Sequence, residues 1–231
     1  MSGRPAAWLL VVVAVSLPAQ WLLAAPVALP GARGGSYSLH ITSLKEARFK
    51  NTLRQKYDFS CGSAAVATLL TYQYGYPVDE QTAFAQMYGH GDRAKINREG
   101  FSLLDLKRYL AANGFEADGF QAPLEKLQQE GLPAIALINE KGYHHFVVIK
   151  GLRNGRVLVG DPARGTRSMP RARFDAAWTN HLLFVIHNKR EQAVFNSSRD
   201  WHAAPSAAPG LAVDRAGLAN ITMSKFGPGD I

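Results

Sequence analysis

The sequence predicts an α+β fold in which a helical N-terminal half packs on a C-terminal antiparallel β-sheet. Apolar residues recur at helical spacing through the first half of the chain, as far as Gln129. Beyond that point, short runs rich in β-branched and aromatic residues alternate with turn residues. Helices followed by antiparallel strands form layers of the α+β type.

The helices of the first half are predicted from capping residues that precede apolar stripes. The polar stretch from Gly89 to Gly100 lacks such a stripe and is predicted as a surface loop. Glycines at positions 75 and 114 are predicted to end two of the helices. The predicted helix starts lie at or just after Cys61, Asp79, Ser102 and Pro123.

The strands of the second half include one predicted hairpin. Its turn is Asn154-Gly155, and Asp161-Pro162 ends its second strand. Because the outer ends of two hairpin strands lie side by side, His145 would come within hydrogen-bond reach of Asp161. The predicted strands are 133–138, 145–149, 156–159 and 182–186.

Composition divides the chain into segments. Arg4 and the apolar stretch after it predict a signal peptide or N-terminal membrane anchor over residues 1–28. Residues 29–49 are predicted as a linker and extended arm, in which alternation from Ser36 suggests a strand. Residues 50–190 form the predicted globular domain. Residues 191–231, rich in Ala, Pro and Ser, are predicted as a poorly ordered C-terminal tail.

Charge and cysteine usage exclude several function classes. The formal net charge is +8, but the basic residues are scattered and form no basic helix or recognition motif, so no nucleic-acid partner is predicted. Cys61 is the only cysteine, which excludes an intramolecular disulfide. Because no Cys/His cluster has the spacing of a zinc site, no metal or cofactor is predicted.

Cys61 is a candidate nucleophile. A thiol at a helix N-terminus lies among unpaired backbone N–H groups and the positive end of the helix dipole, both of which favour the thiolate. A nucleophile needs a base, and the base needs an orienting acceptor. His145 and Asp161 suit these two tasks, and Gln55 could donate its amide to an oxyanion. The alternative is an inert, packed cysteine, the commoner fate of a single thiol.

The histidine partner is one of two adjacent residues. His144 and His145 begin the same predicted strand, and successive side chains of a strand face opposite sides. Only one of them can therefore serve the cysteine. Position 145 shares its parity with Val147 and Ile149, whereas position 144 shares its parity with Phe146 and Val148.

Residues 50–188 resemble the C39 peptidase family. The resemblance rests on Gln55-x5-Cys61-Gly62, on His145-Phe-Val-Val and on Asp161-Pro162, which agree in type, order and spacing. It implies a papain-like cysteine peptidase of the kind that cuts leader peptides after a double glycine. In that family the matching glutamine is the oxyanion residue, the cysteine the nucleophile, the histidine the base and the aspartate its orienting partner.

The chain departs from the family pattern in two places. Ser60 stands where family members often carry aspartate directly before the cysteine, which concerns the local loop more than the chemistry. Many members are also fused to an ATP-driven exporter, whereas this chain has no GxxxxGK[ST] motif.

In this respect the chain is similar to free-standing, exported C39 proteins, one of which accompanies the functional amyloid (Fap) secretion system. That similarity implies a periplasmic location, with membrane association possible through the N-terminal segment. It also implies limited proteolysis of exported proteins or leader peptides, and suggests exported amyloid components or their outer-membrane pore as substrates. Two alternatives remain open: a C39-like binding module that grips a client or leader segment without cleavage, and a transferase that performs transamidation on the same residues.

Overall fold

A computed structural model describes residues 27–30, 36–39 and 43–204 of the 231-residue chain. The chain divides into two units, residues 1–42 and residues 43–231. Residues 1–26, which hold most of the predicted signal peptide or anchor, lie outside the described part.

In the first unit, β1 (Val27–Pro30) and β2 (Ser36–Leu39) form an antiparallel pair in which Val27 lies opposite Leu39. The strand predicted to begin at Ser36 is confirmed.

A six-stranded antiparallel sheet forms the centre of the second unit and confirms the predicted sheet. Its order is β3-β8-β4-β5-β6-β7, for strands β3 (Ala117–Gln121), β4 (Ala134–Glu140), β5 (Tyr143–Arg153), β6 (Arg156–Asp161), β7 (Gly165–Pro170) and β8 (Leu182–Ile186). The predicted hairpin joins β5 to β6, and Asn154 and Gly155 both have positive φ (50° and 67°), as a two-residue type I′ turn requires. Strands β3 and β7 escaped prediction because polar residues and glycine interrupt their apolar alternation.

Helices lie on both sides of this sheet. Asp79 and Ser102 cap α3 and α5 as predicted, since their side chains accept the backbone N–H groups of Thr82 (2.8 Å) and Asp105 (3.3 Å). Among residues 43–204, no helix is both long and apolar enough to cross a membrane. The helices are α1 (Leu44–Arg48), α2 (Cys61–Thr68) with a π-helical continuation at Leu69–Gln73, α3 (Glu80–His90), α4 (Arg93–Glu99), α5 (Leu103–Ala112), α6 (Leu124–Glu130), α7 (Arg171–Ala177) and α8 (Ser198–His202).

The loop predicted from Gly89 to Gly100 is wrong, because it contains helix α4. The Asp92 side chain caps this helix by accepting the N–H of Lys95 (3.1 Å). Ile96 is its only buried residue. One apolar anchor in a polar segment leaves no helical stripe in the sequence, which is why the pattern indicated a loop.

Helix α2 is the buried helix of the domain. All of its residues are buried, and it packs against β5, α3 and α5. Small side chains permit this close approach: a Cβ on Gly62 would lie 2.8 Å from the Cβ of Phe101. Phe146 and Val148 of β5 share a core cluster with α2. Their neighbours Val147 and Ile149 belong to a second cluster on the α6 and α7 side, so β5 is buried on both faces.

The poorly ordered tail was predicted to begin at residue 191, but the structure shows that residues 191–204 pack on the domain. The Asn196 N–H donates to the Lys150 carbonyl (2.8 Å), and the Asn196 side-chain oxygen accepts the N–H of Leu152 (2.7 Å). Helix α8 then buries Trp201 and Asp200 against the domain. A single buried tryptophan and a single buried carboxylate create no periodicity, so the composition alone suggested disorder. Residues 205–231 of the predicted tail lie outside the described residues.

A buried ion pair connects helix α8 to β5. Lys150 Nζ lies 3.3 Å from Asp200 Oδ1, and both side chains are fully buried. The ammonium also donates to the Asn51 carbonyl and lies 5.3 Å from the ring centre of Tyr72. Burial lowers the pKa of Lys150 to about 8, because the loss of hydration outweighs the attraction of Asp200.

We predict that Asp200→Asn destabilises the domain by about 3–5 kcal/mol, because Lys150 must then either stay charged in the interior without its counter-ion or give up its proton to fold. The measurement is a urea unfolding curve at pH 7, where Lys150 is charged. The matched control is the double variant Lys150→Met/Asp200→Asn, which removes both charges and should recover much of the loss. Unfolding midpoints that coincide for Asp200→Asn and the wild type would contradict the prediction.

Candidate active site

Cys61 is the first residue of α2 and lies against strand β5. Its side chain is buried, with 7% of the residue exposed. The backbone N–H groups of Phe146 and Gly62 face its sulfur and stabilise a thiolate there. Phe146 is the neighbour of His145 in β5, so the start of α2 contacts the strand that carries the predicted base.

Burial of the sulfur opposes the thiolate that was expected at this helix N-terminus. Burial raises the pKa of the Cys61 thiol, and the surrounding backbone N–H groups only reduce that effect. The negative charge of Asp161 acts in the same direction as burial. The sequence predicted the helix N-terminus and allowed for a packed cysteine, and the structure shows that the sulfur is buried.

His145 and Asp161 meet as the hairpin predicts. His145 Nε2 lies 3.2 Å from Asp161 Oδ2, and both side chains are buried. The other ring nitrogen of His145, Nδ1, is buried and has no hydrogen-bond partner among the described residues. His144 differs, because its exposed imidazole Nε2 lies 2.9 Å from the Asn139 side-chain nitrogen.

The Asp161 carboxylate is fully surrounded by donors. Oδ1 accepts the backbone N–H groups of Ala163 (2.9 Å) and Arg164 (3.2 Å), and Oδ2 faces His145 and the Arg167 guanidinium. Burial by itself would raise the pKa of this carboxyl. The hydrogen bond and charge of His145, the charge of Arg167 and the backbone donor of Ala163 outweigh burial and lower the pKa below its ordinary value.

Gln55 lies in the loop that leads to α2. Its backbone N–H donates to the carbonyl of Pro162 (3.1 Å), the residue after Asp161. Its side-chain nitrogen donates to the Tyr57 carbonyl (3.1 Å), and its side-chain oxygen is buried with no partner in the described structure. Ser60 closes the same turn, because its hydroxyl donates to the Tyr57 carbonyl (3.1 Å). The serine that departs from the family pattern thus supports the loop.

Three pairwise contacts bring the four predicted residues into one region, although no hydrogen bond joins His145 Nδ1 to Cys61 in the described part of the chain. Cys61 reaches β5 through Phe146, His145 reaches Asp161, and Gln55 reaches Pro162.

Tyr143 belongs to the site, although the sequence analysis did not identify it. Its ring stacks on the His145 imidazole with centroids 5.0 Å apart, and its hydroxyl donates to the Asp58 carbonyl (3.1 Å). The spacing could have indicated this contact, because side chains two residues apart on a strand lie on the same face and Tyr143 precedes His145 by two.

Glu140 and Arg167 also adjoin the site and were not predicted. Glu140, His145 and Asp161 offer ligand atoms within 4.8 Å of one another, a spacing that a metal ion could use. Arg167, however, donates to both carboxylates, at 2.8 Å to Glu140 Oε2 and 3.1 Å to Asp161 Oδ2. A guanidinium thus supplies the positive charge between these carboxylates.

Comparisons with known proteins identify the family of the chain. Residues 50–190 match the Peptidase C39 family. The chain is 41% identical over 159 residues to a "Probable functional amyloid protease FapD" of Pseudomonas aeruginosa, a match that covers 69% of each chain. It is 37% identical to a protein of the same description from Pseudomonas fluorescens, again over 69% of each.

A solved structure supports the fold. The peptidase domain of Streptococcus ComA, described as a bi-functional ABC transporter, superimposes with a TM-score of 0.50 at 23% sequence identity. The match covers 59% of this chain and 96% of that domain. Together with the α+β architecture, it identifies the fold as papain-like. The chain therefore belongs to the C39 peptidase family and is a cysteine peptidase.

Proposed function

We propose that this chain is a periplasmic cysteine peptidase that performs limited proteolysis of exported proteins or leader peptides within a functional amyloid secretion system. The assignment to a functional amyloid secretion system is supported by two relatives that are described as probable functional amyloid proteases. The apolar N-terminal segment supports export, and if it is retained it would also hold the enzyme at the inner membrane. Exported amyloid components and their outer-membrane pore are the proposed substrates.

One observation carries the proposed chemistry. His145 uses Nε2 for Asp161, while its Nδ1 is buried and has no hydrogen-bond partner within residues 43–204, on the strand whose next N–H faces the Cys61 sulfur. Burial of a ring nitrogen without a hydrogen-bond partner lowers the stability of the fold, so a functional role is a reasonable explanation for it. We assign Nδ1 the task of general base for Cys61, and Asp161 the task of holding the ring by its Nε2–H.

The reaction then runs in two stages. His145 Nδ1 takes the proton of the Cys61 thiol as the sulfur attacks the carbonyl carbon of the scissile peptide bond. The imidazolium, stabilised by Asp161, gives that proton to the leaving amine, and a thioester remains on Cys61. His145 next takes a proton from water, whose oxygen attacks the thioester and releases the acid and the thiol.

The oxyanion formed in both stages needs donors. The backbone N–H of Cys61 is one, since the first N–H groups of a helix have no partner within it. The amide of Gln55 is the other: its nitrogen lies 3.1 Å from the Tyr57 carbonyl and 3.5 Å from the Asp58 carbonyl, and one N–H would leave these carbonyls for the oxyanion. Because protein groups supply nucleophile, base and donors, the mechanism requires no cofactor.

We expect Cys61→Ala to abolish processing with the fold intact, because a small residue suits the start of α2. Cys61→Ser should retain almost nothing, since a hydroxyl is the weaker nucleophile. The measurement compares the sizes of exported proteins in cells that carry the wild type or either variant. Wild-type processing by Cys61→Ala would contradict the proposal and favour the binding-module alternative. Amine acceptors that outcompete water for the trapped thioester would instead favour transamidation.

We expect His145→Ala to lower kcat by at least the 10²–10⁴ that a general base contributes. His144→Ala is the matched control and should keep most of the activity, because that ring is exposed and forms its hydrogen bond with Asn139. Circular dichroism establishes that both variants fold. If the two variants lost activity equally, Nδ1 of His145 would not be the base.

We expect iodoacetamide to label folded Cys61 with a pH midpoint above that of a free thiol, about 8.5, because burial raises its pKa. With a raised pKa, a smaller fraction of the sulfur is thiolate at neutral pH than in an unperturbed cysteine. The urea-unfolded chain is an internal reference, since it has no other cysteine. A folded midpoint below the unfolded one would restore the thiolate expected from the helix N-terminus.

A further inference from the structure

Arg167 shares an oxygen of Asp161 with His145. Arg167 Nε lies 3.1 Å and Nη2 lies 2.9 Å from Asp161 Oδ2, the atom that faces His145 Nε2 at 3.2 Å. The second carboxylate oxygen is occupied by the backbone N–H groups of Ala163 and Arg164. Each direction of approach to the carboxylate is thus taken, and rotation of Asp161 would break bonds to several donors at once.

A second carboxylate holds Arg167 in place. Glu140, at the end of β4, accepts from Nη2 (2.8 Å) and Nη1 (3.3 Å) of this guanidinium in a two-point contact. Arg164 and Arg173 also pair with Glu140, and Arg173 does so at 3.3 Å. The Arg167 side chain is 15% exposed and that of Glu140 is 8% exposed, so water screens this contact little.

These contacts have a consequence for the imidazole. A guanidinium is planar and presents its donors in a rigid fork, and here two of them hold Asp161 Oδ2 while the backbone donors hold Oδ1, so the plane of the carboxylate is fixed. The charged groups that face Asp161 are His145 on β5, Arg167 on β7, Glu140 on β4 and Cys61 on α2. Within this set, Arg167 is the permanent cation that keeps the carboxylate ionised and turned toward Nε2.

We propose that Arg167 is a positioning residue of the peptidase, which orients Asp161 so that His145 keeps its proton on Nε2 and presents a bare Nδ1 to Cys61. This inference rests on the proposed catalytic roles of Cys61, His145 and Asp161. Arg167 acts through Asp161, to which its guanidinium donates.

The test uses the full chain and an internally quenched peptide whose scissile bond follows Gly-Gly. Arg167→Met should lower kcat by about 10–10², with KM unchanged, because a misplaced catalytic group costs turnover more than binding. The acidic limb of its pH profile should move to higher pH, since Asp161 loses a cation that lowers its pKa. Arg167→Lys keeps the charge but not the fork, so it should restore the limb and recover only part of kcat.

Arg173→Met is the matched control, because this exposed arginine contacts Glu140 and not Asp161. It should match the wild type in kcat and in pH profile. If Arg167→Met does not fold, the variant Glu140→Gln/Arg167→Met also removes the buried charge that Arg167 neutralises at Glu140, and it should show the same displaced limb. A wild-type limb in either variant, or a loss equal to that of Arg173→Met, would overturn the positioning role.

A readout without substrate separates this inference from the proposed function. In ¹⁵N NMR spectra, the His145 ring of the wild type should carry its proton on Nε2, and Arg167→Met should give a mixture of tautomers. An unchanged tautomer would overturn the inference even if Cys61→Ala is inactive. A changed tautomer together with full activity of Cys61→Ala would refute the proposed function and leave the structural link between Arg167 and His145 established.

Discussion

The buried charge of Asp161 is the constraint on which the site depends. Removing a carboxylate from water costs several kcal/mol unless donors and cations replace its hydration. Here the replacements come from β5 through His145, from β7 through Arg167 and from the turn between β6 and β7. Because each donor has a fixed direction, the orientation of the carboxylate depends on the register of these strands. The edge strand β7 therefore helps to hold the charge of Asp161 through Arg167.

Helix α2 approaches this arrangement from another side. Its small side chains allow it to lie close to β5, where the Phe146 N–H faces the sulfur of Cys61. The burial that permits this approach also raises the pKa of the thiol. The same packing that brings Cys61 close to β5 therefore disfavours its thiolate form. The proposed transfer of the thiol proton to His145 during attack suits a sulfur that burial keeps protonated.

The C-terminal segment extends the peptidase unit beyond residue 190, where the family match ends. Asp200 compensates the charge of Lys150, and Lys150 in turn donates to the Asn51 carbonyl. Lys150 belongs to β5, the strand that carries His145, and Asn51 precedes the loop that carries Gln55. A buried pair far along the chain thereby supports two segments of the site, because leaving either charge unpaired in the interior would be costly.

The sequence by itself determined the features that depend on short spacing. Helix caps, the Asn154-Gly155 hairpin and the resulting approach of His145 to Asp161 all follow from local patterns within one or two elements. The family motif added Cys61 and Gln55 with their proposed roles.

Tertiary structure decided what depends on depth and on distant partners. The raised pKa of Cys61 follows from how deeply α2 lies, and no spacing encodes depth. Arg167 reaches Asp161 from a polar strand, β7, that has no apolar alternation, and Asp200 reaches Lys150 from a segment whose composition suggested disorder. Burial and long-range charge pairing are properties of the packed chain, so they became visible only when the sheet and its helices were assembled.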